Sequence, residues 1–152
     1  MLDEQAAFKP KDAGFENRVR ASFARQTAMK SISAKLVSIK PGAVEIELPY
    51  QERFAQQDGF LHAGVITAIV DTACGYAALS LMPIGFEVLT IEFKANFMAP
   101  AVGDRFIARA KVVRPGRTVT VCAGDVVALK GKREKIVATM LATMMCRGDT
   151  RG

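Results

Sequence analysis

Asp71 is the one charged residue in an apolar run of about twenty residues, AGVITAIVDTACGYAALSLM from Ala63 to Met82, and the chain's single histidine, His62, stands immediately before it. An unpaired carboxylate in an apolar setting costs several kcal/mol or takes up a proton instead. A sequence that keeps one there points to chemistry, either a general base that activates water or a nucleophile. On a helix, Thr67, Asp71 and Gly75 fall at i, i+4 and i+8 along one face. Thr67 is therefore expected to offer the carboxylate a hydroxyl, and Gly75 to leave space beside it. The N–H groups of Ala63 and Gly64 fall in the first helical turn, where they lack intrahelical acceptors and the dipole favours negative charge. A carbonyl oxygen becoming an oxyanion would be stabilised there. Asp71 lies about 12 Å further along by helical rise. One substrate carbonyl can meet both groups only if the N-terminal turn of one helix faces the carboxylate of a neighbouring, antiparallel helix, so the geometry predicts a site between subunits.

The elements that must position these groups follow from periodicity. Phe15 to Met29 carries Phe15, Val19, Phe23 and Ala24 at helical spacing. Ile32 to Ile39 and Ala43 to Leu48 form a hairpin pattern around Lys40-Pro41-Gly42, and Gln51 to Phe60 reads as a polar connector with one short helical turn. The apolar helix begins near His62 and is stopped by Pro83 and Gly85. Four strands follow. In the first, Leu89, Ile91, Phe93, Ala95 and Phe97 are expected on one face and Thr90, Glu92, Lys94 and Asn96 on the other. The next three run over Arg105 to Val112, Thr118 to Leu129 and Lys135 to Cys146. Short turns imply antiparallel neighbours, and the apolar helix is the only element able to cover the sheet's buried face. This is an α+β arrangement, an antiparallel sheet wrapped around a long central helix. A helix apolar all round also needs cover on its far side, which suggests a partner subunit. The run is long enough to span a membrane, but Asp71 at its middle and strands in need of a cover favour a core helix.

LHAGVITAIVDTACGYAA resembles the segment around the His-Gly-Gly motif of PaaI-type hotdog acyl-CoA thioesterases, in which the motif opens the central helix and an acid follows nine residues after the His. Here the match is His62-Ala63-Gly64 with Asp71 at that distance. GRTVTV and EFKANFMAPAVGD resemble the family's later strands, and the likeness covers about residues 30–145. It implies a hotdog fold, with one such domain over 30–147, an N-terminal tail and helix over 1–29 and a C-terminal tail over 148–152. It also implies acyl-CoA hydrolysis by a homodimer or a dimer of dimers. The family acid, base or nucleophile toward the thioester, falls on Asp71. The N–H that polarises the thioester carbonyl falls on Ala63, and the amide that assists it, or places water, falls on Gln56. A Ser or Thr that positions water falls on Thr90, if one residue is inserted in the loop before it. The motif's middle Gly is Ala63 here; its methyl matters only if the backbone needs φ > 0 or a very close approach. His62 reads as a helix-start positioning residue rather than a proton shuttle.

Between Arg105 and Lys135 nine Lys and Arg stand against Asp125 and Glu134, a local balance of +7 in a chain of net charge +6. Such a strip suits an anionic partner. For the phosphates of CoA the first candidate is Arg117, which with Arg114 flanks one turn, and the further candidates Lys132 and Arg133 flank another with Lys130. No separate DNA-binding module or aromatic-rich basic motif supports nucleic acid as partner. Cys74, Cys122 and Cys146 lack CxxC or zinc-like spacing and read as reduced structural thiols. No metal is expected, and no cofactor beyond the CoA thioester as substrate. The polar, mixed-charge N-terminus is unlike a secretory signal, so a cytoplasmic protein is the default. Two rivals remain on the same residues. One is a hydratase or dehydratase, which pairs a His with an acid and has only His62 to use; the other is a non-catalytic acyl-CoA binder.

Overall fold

The computed structural model describes residues 8–148 of the 152, so residues 1–7 and 149–152 of the two expected tails lie outside it. Helices α1 (Phe15–Arg25) and α2 (Thr27–Ser31) lead into strands β1 (Lys35–Lys40) and β2 (Ala43–Pro49). A 3₁₀ turn over Glu52–Phe54 precedes α3 (Ala63–Leu79), and strands β3 (Glu87–Phe97), β4 (Arg105–Arg114), β5 (Val119–Lys130) and β6 (Arg133–Arg147) complete the chain. One antiparallel sheet runs in the order β1-β2-β4-β5-β6-β3 and wraps α3.

The approach of helix to sheet is set by small residues. Val44, Ala110, Gly124 and Met140 are register partners in one row across four strands. A Cβ on Gly124 would come within 2.7 Å of Val70 Cγ2 and 3.2 Å of Cys74 Sγ. Ala108, Ala128, Ala138 and Ala142 are likewise buried, in the same core cluster as Ala73, Cys74 and Ala77. Larger side chains at these points would hold α3 off the sheet and leave voids between them.

Three expectations are corrected. First, β3 and β4 follow each other in sequence but are not neighbours; β3 pairs with β6 at the sheet edge. The seven-residue link 98–104 crosses the ends of β6 and β5, where Val137 O accepts from Met98 N and Ala99 N and Leu129 O accepts from Asp104 N. Three strand spacings amount to about 14 Å, well within the roughly 23 Å that seven extended residues reach. Pro100 cannot donate to a ladder, so the segment suits a crossing better than a hairpin.

Second, the strict alternation in β3 fails at a bulge. Thr90 pairs with Met144 and Glu92 with Thr143, leaving Ile91 unpaired. Val88 and Thr90 therefore share the α3-facing side with Phe93, Ala95 and Phe97, while Leu89 turns outward. Third, α3 is covered on its C-terminal half by its own chain. The expected helix Phe15 to Met29 breaks at Gln26, whose ψ of 96° is extended. The break lets α2 bury Met29 while α1 lays Val19 and Phe23 on the core, with Phe23 edge-to-face on Tyr76 at 6.0 Å. What stays uncovered is the N-terminal half of α3, where Gly64 is exposed and Thr67, Ala68 and Asp71 are half-buried.

Candidate active site

His62 is the N-cap of α3: its Nδ1 accepts from Gly64 N at 2.8 Å, so the neutral ring carries its proton on Nε2. Gly64 is thereby removed from the set of free oxyanion donors. Val65 N and Ile66 N go to His62 O, which leaves Ala63 N–H as the first-turn donor with no acceptor among the described residues. Ala63 is not at positive φ, so its methyl imposes no backbone strain where the motif has glycine. Glycine is needed one position later. A Cβ on Gly64 would lie 3.0 Å from His62 Nδ1 and 3.2 Å from its Cε1. Gly64→Ala is expected to displace the ring and cost about 1 kcal/mol, the worth of an N-cap. Made on top of His62→Ala, the same change is expected to be neutral or stabilising, because alanine then only improves helix propensity. Urea unfolding of the two single variants and the double variant checks this.

Gln56 sits in the loop closed by the Ala55–Leu61 bridge. Its Oε1 accepts from Asp58 N, leaving the Nε2 hydrogens as available donors. Thr67 does not serve Asp71, since its hydroxyl donates to Ala63 O at 2.9 Å. The hydroxyl that reaches the carboxylate comes from the sheet: Thr90 Oγ1 donates to Asp71 Oδ1 at 2.8 Å. The bulge at Ile91 is what lets Thr90 and Phe93 face the same side. Asp71 has no ion-pair partner among the described residues. Loss of water around it raises its pKa above the ordinary aspartate value, and the Thr90 hydrogen bond pulls it part of the way back. The result is a carboxylate of raised basicity.

A cavity of about 750 Å³ opens beside this pair, walled by Ser22 of α1, Gln26 at the break after it, Gly75 and Tyr76 of α3, and Val88 and Thr90 of β3. Gly75 supplies room as expected, its nearest neighbour being Val88 Cγ1 at 3.8 Å from an added Cβ. The α1 wall was not anticipated. Arg18, Ala21, Ser22, Arg25 and Gln26 line the cavity at i, i+3, i+4, i+7 and i+8, a spacing that marks one helical face in the sequence but names no partner. Gln26 Nε2 donates to Tyr76 Oη at 3.2 Å, Ser22 Oγ lies 3.2 Å from the same oxygen, and Thr72 Oγ1 donates to Gln26 Oε1 at 3.4 Å.

The four basic residues do not come together. Arg114 ends β4 and Arg117 sits in the turn before β5, near the C-terminus of α3, whereas Lys132 and Arg133 lie at the other end of β5, roughly 35 Å away by strand rise. All four are exposed. Cys74 and Cys122 are buried with thiol pKa values pushed up by desolvation, and Cys122 Sγ donates to Cys74 O at 3.4 Å, as inert core thiols would. Among the described residues no group of three or more His, Cys, Asp and Glu could hold a metal ion, and no helix is long and apolar enough to cross a membrane.

Comparison with known proteins meets the same segment. Residues 58–135 match the model of the Thioesterase superfamily. A thioesterase family protein from Silicibacter pomeroyi is 48% identical and superposes with a TM-score of 0.88, over 89% of this chain and 99% of that one. The PaaI protein of the E. coli phenylacetic acid degradation operon shares the fold at a TM-score of 0.82 and 20% identity, over 92% and 98% of the two chains. Human acyl-coenzyme A thioesterase 13 is 29% identical over 91 residues, 59% of this chain and 64% of its own. Two further curated relatives are likewise spanned over less than two thirds of their length, 65% and 60%. From the sheet wrapped around α3 to the capped helix that opens at His62, the chain belongs to the Thioesterase superfamily, with a hotdog fold of PaaI type.

Proposed function

We propose that the protein hydrolyses an acyl-CoA thioester to the free acid and CoA at a site formed between two copies of the chain. The observation that carries this reading is the pairing of two groups that one chain cannot bring together. Asp71, a half-buried carboxylate of raised pKa, opens onto a cavity. The Ala63 N–H, unpartnered at a helix N-terminus, lies about 12 Å along the same helix by rise. Reacting groups must approach to about 3–3.5 Å, so the N–H of one protomer would polarise the carbonyl that Asp71 of the other attacks or serves. The exposed apolar side chains of edge strand β3, Ile91 at 54%, Phe93 at 45% and Phe97 at 49%, lie next to the uncovered half of α3 and support a second copy docking there.

In this reading the oxygen of the thioester accepts from Ala63 N–H of one protomer, with Gln56 Nε2 as a second donor. Asp71 takes a proton from water as the water oxygen bonds to the carbonyl carbon; the C–S bond breaks and CoA leaves as the thiol, taking that proton. If Asp71 attacks instead, the carboxylate forms a mixed anhydride that water then hydrolyses. Label found in Asp71 after single-turnover hydrolysis in ¹⁸O-water identifies the anhydride route with water attacking the Asp71 carbonyl carbon. His62 would hold the helix start rather than move protons, which disfavours a hydratase. Arg114 and Arg117, or Lys132 and Arg133, would hold the CoA phosphates, and removing each pair separately shows by KM which end of the sheet is used. Thiol release across a panel of acyl-CoAs, compared with Asp71 variants, tests the reading directly.

The Thr90 hydrogen bond supplies a pH test. A base must be ionised, so kcat/KM rises with pH through the raised pKa of Asp71. Thr90→Val removes the interaction that lowers that pKa, and the acid limb of the profile is expected to move to higher pH. A limb that stays in place or moves to lower pH assigns it to another group.

A further inference from the structure

We infer that a second cavity, at the C-terminal end of α3, binds a small monocarboxylate with a short apolar body, a site independent of the thioesterase reading. This cavity holds about 220 Å³ and shares only Phe86 with the one beside Asp71.

Its walls come from segments far apart in sequence. Leu81 and Met82, just past the last turn of α3, supply apolar surface together with Phe86. Phe8 closes another side, and it can lie there because Gly42 has no side chain. A Cβ on Gly42 would come within 2.7 Å of Phe8 Cδ2. The turn before β5 forms the third side. A Cβ on Gly116 would collide with Val119 O, so no side chain grows from that point of the turn.

The polar groups of the cavity are of one kind. Lys9, Lys11 and Arg117 line it, and no Asp or Glu does. None of the three cations has an ion-pair partner among the described residues. Asp12, close by in sequence, is engaged by Arg18 at 3.5 Å. Thr120 lies deeper, at 3% exposure. Its oxygen accepts from Gly116 N at 3.3 Å, and its hydroxyl proton has no acceptor among the described residues. A carboxylate is an acceptor only, so it can take the Thr120 O–H and the ammonium groups together. A hydrocarbon lying here would leave the Thr120 proton stripped of water with nothing in return. A bare inorganic anion would leave the apolar walls uncovered. A carboxylate carrying a few carbons satisfies both halves.

Cys146 also lines the cavity and gives a direct readout of its occupancy. It is half-buried, whereas Cys74 and Cys122 are buried. Iodoacetamide labelling of Cys146 is followed by mass spectrometry against increasing hexanoate, hexanol, acetate or CoA, with Cys74 and Cys122 reporting any global opening. Hexanoate is expected to slow the labelling saturably with a Kd on the order of 1 mM, ordinary for so small a ligand. Hexanol lacks the charge and acetate lacks the body; each is expected to bind about tenfold more weakly. The double variant Lys9→Met/Lys11→Met alters only exposed positions and is expected to weaken hexanoate by roughly five- to tenfold, the worth of two partly exposed ion pairs. Thr120→Val is expected to weaken it about tenfold and Thr120→Ser to restore it. Labelling that hexanoate does not slow overturns the inference. Equal protection by hexanol does so too, as does protection unchanged in the lysine variant, whose two altered residues line this cavity and not the one beside Asp71. Protection by CoA alone also overturns it, and assigns Arg117 to the phosphates instead.

Discussion

Asp71→Ala and Asp71→Asn are expected to lose roughly 10²–10⁴-fold in kcat for thiol release, the contribution of one positioned base, while remaining folded. The second half of that expectation follows from the carboxylate's surroundings. Desolvation raises its pKa, and the single hydroxyl of Thr90 offsets this only in part. A raised native pKa means that the folded chain holds the proton more tightly than the unfolded one. Stability is then greatest below the ordinary carboxylate pKa and is lost as pH rises through the raised value. At neutral pH the wild type carries that cost and the Asn variant does not. Asparagine can still accept from Thr90, so its melting temperature is expected to equal or exceed that of wild type at neutral pH, with the gap closing in acid. Steady-state kinetics and thermal melts at the two pH values check both halves. An active Asp71→Ala protein would sink the catalytic assignment, and a strongly destabilised Asn variant would mark Asp71 as a structural acid.

Arg18→Met is expected to lower folding stability by about 2–4 kcal/mol, the cost of losing charge-assisted hydrogen bonds at a poorly solvated terminus. The Arg18 guanidinium closes the C-terminus of α3. Its Nη1 donates to Pro83 O at 2.7 Å, and its Nη2 donates to Leu79 O at 2.9 Å and Met82 O at 2.7 Å. Leu79 O belongs to the last turn of α3 and Met82 O and Pro83 O to the turn just beyond it, and a cation there meets the negative end of the dipole. Asp12, itself buried, lies 3.5 Å from Nη1 and balances the charge. Methionine keeps the packing of the stem and removes only the fork. Arg18→Lys should recover a minority of the loss, because one ammonium cannot reproduce the planar spread of donors over three carbonyls. Urea unfolding midpoints of the two variants decide this, and equal midpoints for Arg18→Lys and wild type would reduce the role of Arg18 to charge. Hydrogen exchange should quicken first in α1, the element that the contact pins to α3.

Much of this architecture was legible from periodicity and punctuation. His62 before an unbroken apolar run, and Pro83 with Gly85 after it, bracket α3 to within a few residues of its ends. Gly116 and Gly131 sit in the turns that bound β5. What escaped was whatever depends on a partner distant in sequence. Arg18 reads as an ordinary charge on an amphipathic helix, since nothing local announces three carbonyls more than sixty residues away. Gln26 reads as mid-helix, because the break there is held by Tyr76 and Thr72. Leu89, Ile91 and Phe93 continue a period of two so evenly that the unpaired residue between Thr90 and Glu92 leaves no trace. Asp71 is conspicuous in the sequence because a lone charge in twenty apolar residues is costly. Its actual partner, Thr90, required knowing which strand reaches the sheet edge.

The bulge at Ile91 makes the site sensitive to counting rather than to chemistry. Side chains alternate across a strand, so the faces presented by the two halves of β3 depend on the number of residues between them, not on which residues those are. Deleting Ile91 would leave every local preference for strand intact and still force a choice. Either Thr90 turns away from the carboxylate, or Phe93 and Phe97 rotate to the opposite face of the sheet. A single-codon deletion there would uncouple the acid from the apolar edge, whereas substitutions at Ile91 that preserve chain length would leave both in place.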